Sequence, residues 1–317
     1  MLACVSHAPI ILIRAKAPEE EPQILEFYDR CTRAIRSFDP DVVVMFGSDH
    51  FAGFFLSAMP AFCVGFAARA VDDVGGFGGP LAVPADAAKL LVGELRAAGF
   101  DPAISYKMTL DHAFSQPLKR LTGALDRYPT IPIFIGALVP PFISIERSRA
   151  FGACVGHQMR TRGGRVLFLG SGGLSHHPTR YYPLIGEGRP DVADWQMSGP
   201  RGHGFTEEQW FAKLHSDHVD GAAMLVSGAR TKEDIRLNPE FDRWFMDRFA
   251  DGDVEALSRL SPEDMLARAG LGSLELHTWV AALAAHSAAG GSPPSQSIYA
   301  ATLEYGGGYG MAFSVPS

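Results

Sequence analysis

Three histidines of this chain share one local arrangement, in which an apolar run leads through a short polar or glycine segment to an imidazole: residues 2–5 before His7, 42–46 before His50 and 167–170 before His176. Open α/β sheets bind their ligands at the carboxyl ends of strands. One histidine in such a position is more often structural than functional. Three in the same position favour a shared functional site, so the pattern predicts that His7, His50 and His176 meet at one edge of a sheet.

Two of these histidines could hold a metal ion together with a carboxylate. Two imidazoles and one carboxylate on one face of Fe(II) leave positions open for a substrate and dioxygen. His7 and His50 supply the imidazoles if the first two strands are neighbours, which a strand–helix–strand connection favours. The candidate carboxylates are Asp49, Asp111 and Glu275. Glu275 opens an otherwise apolar helix, where an acid is costly unless it is paired or metal-bound, and this cost favours Glu275.

A fourth histidine, His112, follows Asp111 just before a predicted helix over residues 116–125. We expect His112 to lie on a loop, where its ring is available for proton transfer. The alternative is that Asp111 caps the helix and that His112 is merely exposed. This segment alone does not decide between the two interpretations.

Two further features have weaker functional interpretations. His215 and His218 have i, i+3 spacing, but they lie in a polar stretch, and we interpret them as part of a solvated helix face. Residues 170–173 could form an anion-binding nest, yet they lack a dinucleotide fingerprint and a Walker lysine. The glycines are better explained by a close approach of the chain to a bound substrate.

The elements that position these residues alternate between strand and helix periodicity. Further strands are predicted over residues 62–66, 103–106, 131–138 and 166–170, and helices over 19–38, 85–98, 116–125 and 145–162. This alternation predicts an α/β fold, with a central β-sheet flanked by helices on both faces. After residue 179 the patterns become helical, over 207–226, 239–249 and 274–288.

The change in character after residue 179 bears on the domain organisation. Residues 183–204 are rich in Gly, Pro and Asp. Because the later helices are needed to cover the sheet, we interpret residues 179–205 as an active-site flap or surface loop rather than a linker. The sequence therefore predicts one domain over residues 1–317.

Composition excludes several classes of partner. The net charge of -7 and the scattered basic residues argue against nucleic-acid binding. No run approaches the roughly 20 apolar residues of a membrane span, and the first 14 residues lack a basic leader, so we expect no membrane segment and no signal peptide. The chain has four cysteines, Cys4, Cys31, Cys63 and Cys154, and they form no CxxC motif. Their spacing suggests neither a zinc knuckle nor a disulfide framework, so we expect a protein of the reducing cytoplasm.

Five segments in order resemble the signature segments of the class III, LigB-type extradiol catechol dioxygenases: Ser6-His7-Ala8-Pro9, Asp49-His50-Phe51, Asp111-His112-Ala113-Phe114, residues 168–176 and residues 275–282. The similarity covers nearly the whole chain. The resemblance implies that His7, His50 and Glu275 hold Fe(II). It also implies that His112 is the proton donor and His176 the proton acceptor.

The resemblance implies a reaction as well, namely extradiol cleavage of a catechol ring with insertion of both atoms of O2 by a homo-oligomeric enzyme. It implies a catechol with a carboxylate-bearing side chain, of the 2,3-dihydroxyphenylpropionate type, and hence a cationic partner among Arg14, Arg180 and Arg201. The alternatives are a larger lignin-derived or biaryl catechol, and a non-catalytic or zinc-binding member of the superfamily.

Overall fold

The computed structural model describes residues 1–315. The strands of this part are β1 (Leu2–Val5), β2 (Val42–Gly47), β3 (Phe62–Gly65), β4 (Ala68–Ala70), β5 (Gly79–Pro80), β6 (Ala103–Ser105), β7 (Met108–Leu110), β8 (Thr130–Ile135), β9 (Val166–Ser171), β10 (Gln296–Thr302) and β11 (Gly307–Phe313). The helices are α1 (Glu21–Phe38), α2 (Ala85–Ala97), α3 (His112–Thr122), α4 (Ile145–Arg162), α5 (Pro190–Ser198), α6 (Glu207–Ser227), α7 (Pro239–Ala250), α8 (Val254–Ser258), α9 (Pro262–Ala269) and α10 (Leu276–Ala288).

The main sheet is mixed and, within residues 1–315, has eight strands in the order β10-β11-β1-β9-β2-β8-β3-β6. Its centre is parallel, because β1, β9, β2 and β8 run in one direction. A smaller sheet has the order β5-β4-β7. The predicted fold class, α/β with a central sheet between helices, is confirmed.

Alternate residues of the central strands point to opposite faces and build two separate cores. On β2, Val44 and Phe46 belong to a buried cluster that includes residues of α4 and α10. Val43 and Met45 belong to a second buried cluster with residues of α1 and α3. Helices therefore cover both faces of the sheet. None of the helices in residues 1–315 combines the length and apolar character that crossing a bilayer requires.

The order of the strands differs from one expectation. Strands β1 and β2 are not neighbours, because β9 pairs with both of them and lies between them. A strand–helix–strand connection restricts handedness but does not require adjacent strands. The consequence for the site is small, since all three strands are parallel and end at the same edge. His7, His176 and His50 lie in the segments that follow these ends.

The carboxyl-terminal hairpin was not predicted. Strands β10 and β11 pair antiparallel, and β11 extends the sheet by pairing with β1. Its sequence is rich in glycine, which is depleted in strands because it adds no side chain for packing. The pairing joins residues about as far apart in the chain as possible, such as Ala3 with Phe313.

Helix α3 begins four residues before its predicted start, which makes His112 its first residue rather than a loop residue. Asp111 is the N-cap, and its side chain accepts a hydrogen bond from the backbone nitrogen of Ala113. The capping alternative was therefore right about Asp111. It was wrong about exposure, because His112 is 1% exposed.

Helices α4 and α10 approach each other closely through glycines of α4. A Cβ atom at Gly156 would lie 1.9 Å from the carbonyl oxygen of Ala285, and one at Gly152 would lie 2.2 Å from that of Ala281. Helix α10 is held against the sheet in this way. Its first turn follows directly on Glu275.

Candidate metal centre and active-site cavity

Three histidine rings meet at the carboxyl edge of the central strands. The ring centroids of His7 and His50 are 5.4 Å apart, those of His7 and His112 are 5.2 Å apart, and those of His50 and His112 are 4.5 Å apart. All three side chains are buried. The structure thus brings together three residues of which the first and the last are 105 positions apart in the sequence.

Glu275 lies against two of these rings. Its Oε1 atom is 3.3 Å from Nε2 of His7 and 3.0 Å from Nε2 of His50. The hydroxyl of Ser48 donates to the same oxygen over 2.9 Å, and the backbone nitrogen of Gly173 donates to Oε2 over 2.8 Å. Two imidazole nitrogens and one carboxylate oxygen therefore converge at one point inside the protein.

The glycines after β9 make this arrangement possible. Gly172 has φ +135°, and a Cβ atom there would lie 2.4 Å from Cβ of Glu275. Gly173 uses its N–H on the carboxylate of Glu275. These glycines therefore make room for Glu275, and their N–H groups do not form a free anion nest. Gly173 also lines a cavity together with the three histidines, and its close approach to a bound substrate stays a prediction.

The tautomer of His7 is fixed by its neighbours. Pro117 lies within α3 and has no N–H to donate to the carbonyl of Ala113. The hydroxyl of Ser171 donates to that carbonyl instead, over 2.5 Å. Since a hydroxyl has a single proton, Ser171 can only accept from Nδ1 of His7, which lies 2.9 Å away. When His7 is neutral, its proton is therefore on Nδ1 and the lone pair of Nε2 is free.

The other two rings of the cluster are held through the same nitrogen. Oδ2 of Asp111 lies 2.9 Å from Nδ1 of His50 and also accepts from the backbone nitrogen of His50 over 2.7 Å. Oδ2 of Asp73 lies 2.5 Å from Nδ1 of His112. Because a carboxylate accepts hydrogen bonds, both rings carry a proton on Nδ1 and direct Nε2 away from it.

His176 completes the set. Its Nδ1 atom lies 3.0 Å from the carbonyl oxygen of Leu174, so this nitrogen donates and Nε2 is free to accept. A Cβ atom at Gly272 would lie 2.0 Å from the His176 ring, which explains the glycine at that position. His176 lines the same cavity as His7, His50 and His112.

Burial and mutual charge shift the pKa values within the cluster. Burial alone would raise the pKa of Glu275, but its close contacts with His7 and His50 hold it well below its usual range. Burial would lower the pKa of His50, but Asp111 and Glu275 raise it well above its usual value. For His7 and His176, burial prevails and lowers the pKa. Glu275 is therefore ionised at neutral pH, whereas His176 is neutral.

The donor atoms fit a divalent metal ion. Nε2 of His7 is buried and, within residues 1–315, has no hydrogen-bond partner. Metal ligands commonly have their second nitrogen held by a carboxylate or another acceptor, as Asp111 and Ser171 do here. Two groups in this region have ligand atoms within 4.8 Å of one another: His7 with His50 and His112, and Asp73 with Asp111 and His112.

The alternative carboxylates are engaged elsewhere. Asp49 accepts hydrogen bonds from the backbone nitrogens of residues 52, 53 and 54, which closes the turn after His50. Asp111 is shared between the cap of α3 and the His50 ring. Of the three carboxylates considered from the sequence, Glu275 is the one that contacts both Nε2 atoms.

The histidines line a first cavity, which together with its solvent-open mouth encloses about 660 Å³ of empty space. His218 also lines it, is 2% exposed and stacks on Tyr181 with a centroid separation of 3.7 Å. The interpretation of His218 as part of a solvated helix face was therefore wrong. It follows Leu214 by four residues and lies on the buried face of α6, whereas His215 is exposed.

A second cavity, with about 910 Å³ of empty space including its solvent-open part, reaches the same centre from another side. It includes His50 and Glu275, and most of its other lining residues are apolar. Tyr182 lines both cavities, its ring centroid is 5.0 Å from that of His50, and its buried hydroxyl has no hydrogen-bond partner among the described residues.

Several residues of the site were not identified from the sequence. Asp73, Ser171 and Tyr182 acquire their roles only from contacts across the fold. Arg230 lines the first cavity, whereas Arg14, Arg180 and Arg201 are not among its lining residues. Helical periodicity in α6 could have indicated His218, because Trp210, Leu214 and Leu225 lie on the same buried face.

Comparison with known proteins gives a consistent result. Residues 1–306 match the family described as the catalytic LigB subunit of aromatic ring-opening dioxygenase. Three curated relatives are named 2,3-dihydroxyphenylpropionate/2,3-dihydroxicinnamic acid 1,2-dioxygenase. The protein of Paraburkholderia xenovorans is 37% identical over 308 residues, 96% of this chain and 92% of the relative. The protein of Cupriavidus pinatubonensis is 35% identical over 316 residues, which cover 100% of this chain and 98% of the relative. The protein of Pseudomonas putida, whose name carries the number 2, is 36% identical over 298 residues, which cover 94% of this chain and 93% of the relative.

Proposed function

Because this chain belongs to the LigB family and is an extradiol aromatic ring-opening dioxygenase, we propose that its substrate is a catechol with a carboxylate-bearing side chain, of the 2,3-dihydroxyphenylpropionate type. The names of the relatives support this substrate class. One observation in the structure supports the chemistry most strongly. Four histidines that line one cavity all have Nδ1 engaged by an acceptor, which leaves Nε2 for the centre, and Nε2 of His7 and His50 lie next to a buried carboxylate.

Enzymes of this family use a metal ion, and we assign Fe(II) to the site formed by His7, His50 and Glu275. The support for this ligand set is that Oε1 of Glu275 contacts the Nε2 atoms of both histidines. When bound, ferrous ion supplies chelation of the two catechol oxygens and activation of dioxygen. His112 is the alternative third ligand, because its ring nitrogen is also near those of His7 and His50.

His176 acts as the proton acceptor in this proposal. A catechol must lose a phenolic proton when it binds a cation through its oxygens. His176 is suited to take that proton because burial lowers its pKa and its Nδ1 hydrogen bond leaves Nε2 unprotonated. The ring lines the cavity that also contains the three clustered histidines.

His112 acts as the proton donor, because opening the ring requires a proton on an oxygen derived from dioxygen. Oδ2 of Asp73 accepts from Nδ1 of His112 over 2.5 Å, which fixes the orientation of the ring and leaves Nε2 as the atom that delivers the proton. General acid or base catalysis of this kind contributes about 10²- to 10⁴-fold to rate. The two histidines thus perform opposite proton-transfer steps, with different acceptors at Nδ1.

The segment over residues 179–205 serves as a flap over the centre. Tyr181 and Tyr182 line the first cavity, and residues 182–185 contribute to the wall of the second. The proposal also includes a single domain over residues 1–317, of which residues 316 and 317 lie outside the described part. Shortening the flap should expose the cavity and increase the KM for catechols more than it changes iron content.

The decisive experiment is oxygen consumption by protein loaded anaerobically with Fe(II). Addition of 2,3-dihydroxyphenylpropionate and air should consume one dioxygen per substrate and form a yellow ring-fission product, and zinc-loaded protein should do neither. A biphenyl-type catechol in parallel tests the larger substrate. No oxygen uptake with any catechol would overturn the proposed function. The proposal also includes a cytoplasmic homo-oligomer, which light scattering and cell fractionation test.

A further inference from the structure

The first cavity carries one side chain that the reaction at the metal does not require. Arg230 lines this cavity together with the four histidines of the centre. A series of neighbouring rings, of which the last two are stacked, connects His50 with Arg230. Tyr182 lies 5.0 Å from His50, His218 lies 6.1 Å from Tyr182, and Tyr181 stacks on His218 at 3.7 Å, measured between centroids. Arg230 is therefore separated from the metal centre by the aromatic wall of the same cavity.

Among the described residues, the guanidinium of Arg230 forms no salt bridge, although Asp234, whose pKa is lowered by hydrogen bonds from Thr231, is near enough for the charge of Arg230 to lower it further. Within residues 1–315, no carboxylate oxygen lies within 4.0 Å of its guanidinium. The acidic residues of the neighbourhood are used by other groups, since Asp217 pairs with Lys213 over 2.6 Å and Asp234 accepts from Thr231. Arg230 is also the one Lys or Arg among the lining residues, which include no Asp or Glu.

The position of Arg230 is built by the fold. Nη1 of Arg230 donates to the hydroxyl of Tyr181 over 3.2 Å. The Tyr181 hydroxyl has room because residue 221 of α6 is glycine, where a Cβ atom would lie 1.9 Å from that hydroxyl. Glycine within a helix costs about 1 kcal/mol relative to alanine, and here it is explained by the tyrosine. Since the hydroxyl oxygen accepts from Arg230, its proton is available to a second acceptor.

We propose that Arg230 and Tyr181 form an anion subsite that binds the side-chain carboxylate of the catechol substrate. This inference rests on the proposed function and identifies the feature that selects an acidic substrate. A guanidinium and a phenolic hydroxyl then offer two donors to one carboxylate, in a cavity without competing carboxylates. Tyr181 belongs to the flap over residues 179–205, so binding of the acid also fixes the flap.

Substrate pairs that differ only in charge test the subsite. We compare 2,3-dihydroxyphenylpropionate with 3-propylcatechol, which has a side chain of similar length and no charge. Arg230→Met should lower the ratio of kcat/KM for the acid to kcat/KM for the uncharged catechol by about 10- to 100-fold, mainly through KM, because a charge-assisted hydrogen bond is removed. Arg230→Lys should recover part of the ratio. Arg180→Met, which removes an exposed charge from the same flap, is the matched control.

A binding measurement separates this inference from the proposed function. Calorimetry with 3-phenylpropionate, which has no hydroxyl groups, requires neither iron nor turnover. The metal-free protein should bind it about 10-fold or more weakly after Arg230→Met than after Arg180→Met. The subsite would be overturned if Arg230→Met lowered kcat/KM equally for both catechols, or if Arg230→Met and Arg180→Met bound 3-phenylpropionate equally well. If instead the protein cleaves no catechol but still binds 3-phenylpropionate in a manner that depends on Arg230, the proposed function is overturned and the subsite is retained.

Discussion

The hydroxyl of Ser148 lies 2.7 Å from Nδ1 of His277, in a buried pair between α4 and α10. It resembles the contact between Ser171 and His7, but neither Ser148 nor His277 lines the two cavities of the site. The two pairs have the same chemistry and different neighbours. Replacing each serine in turn therefore separates the effect of orienting a metal-binding histidine from the effect of losing a buried hydrogen bond.

Ser171→Ala should weaken metal binding by about 10- to 100-fold, because Nδ1 of His7 loses the acceptor that fixes its tautomer and orientation. Ser148→Ala should leave metal affinity within about twofold while costing similar folding stability. Titration of the metal-free variants with Fe(II) under anaerobic conditions, with thermal unfolding in parallel, measures both effects. Equal metal affinities of the two variants would show that Ser171 does not orient His7.

His7→Gln, His50→Gln and Glu275→Gln should each reduce the retained iron to a small fraction of one per chain. Asp49→Asn should retain iron, because Asp49 closes a turn through backbone hydrogen bonds. Iron analysis after desalting, with far-UV circular dichroism to confirm folding, decides the assignment. If Glu275→Gln kept its full iron content and Asp49→Asn lost its iron, Asp49 rather than Glu275 would be the metal ligand.

His112→Gln and His176→Gln should retain iron and lose about 10²- to 10⁴-fold in kcat, because proton transfer is removed. The His176 variant should recover as pH rises, since the catechol then loses its proton without a base, whereas the His112 variant should not. The exposed His157→Gln is the control. Loss of iron from the His112 variant would instead make His112 a metal ligand.

Gly156→Ala should destabilise the protein by about 1–3 kcal/mol or more, because the added Cβ atom would collide with the carbonyl of Ala285. Gly93→Ala, within α2, has no atom within 4 Å of the new Cβ. It should stabilise the protein by up to about 1 kcal/mol, since alanine is the better helix former. Denaturant unfolding of both variants measures these opposite signs, and a neutral Gly156→Ala would contradict the close helix contact.

His286 predicts a pH dependence of stability. Burial lowers its pKa from 6.5 to about 4, and Nε2 lies 3.0 Å from the carbonyl oxygen of Ser292. Between these values the unfolded chain binds a proton that the folded protein does not, so stability falls as the pH falls. Relative to His286→Gln, the wild-type protein should lose about 2 kcal/mol between pH 7.5 and pH 5. A pH-independent difference between the two would contradict the shift.

The sequence by itself determined the fold class and the residues that could act at the centre. Apolar runs at strand and helix spacing are local features, because they reflect which side of an element faces a core. For the same reason, each histidine after a strand, and the single acid at the start of an apolar helix, could be recognised without knowledge of the rest of the chain.

The tertiary structure alone decided how these residues are used. The place of β9 between β1 and β2, and the pairing of the carboxyl-terminal hairpin with β1, depend on contacts between distant segments. The partners of Nδ1 in His7 and His112 lie 164 and 39 residues away. The burial of His218 and the position of Arg230 depend on how α6 packs beneath the flap. Such contacts depend on the geometry of the whole chain, and no short segment contains the information that specifies them.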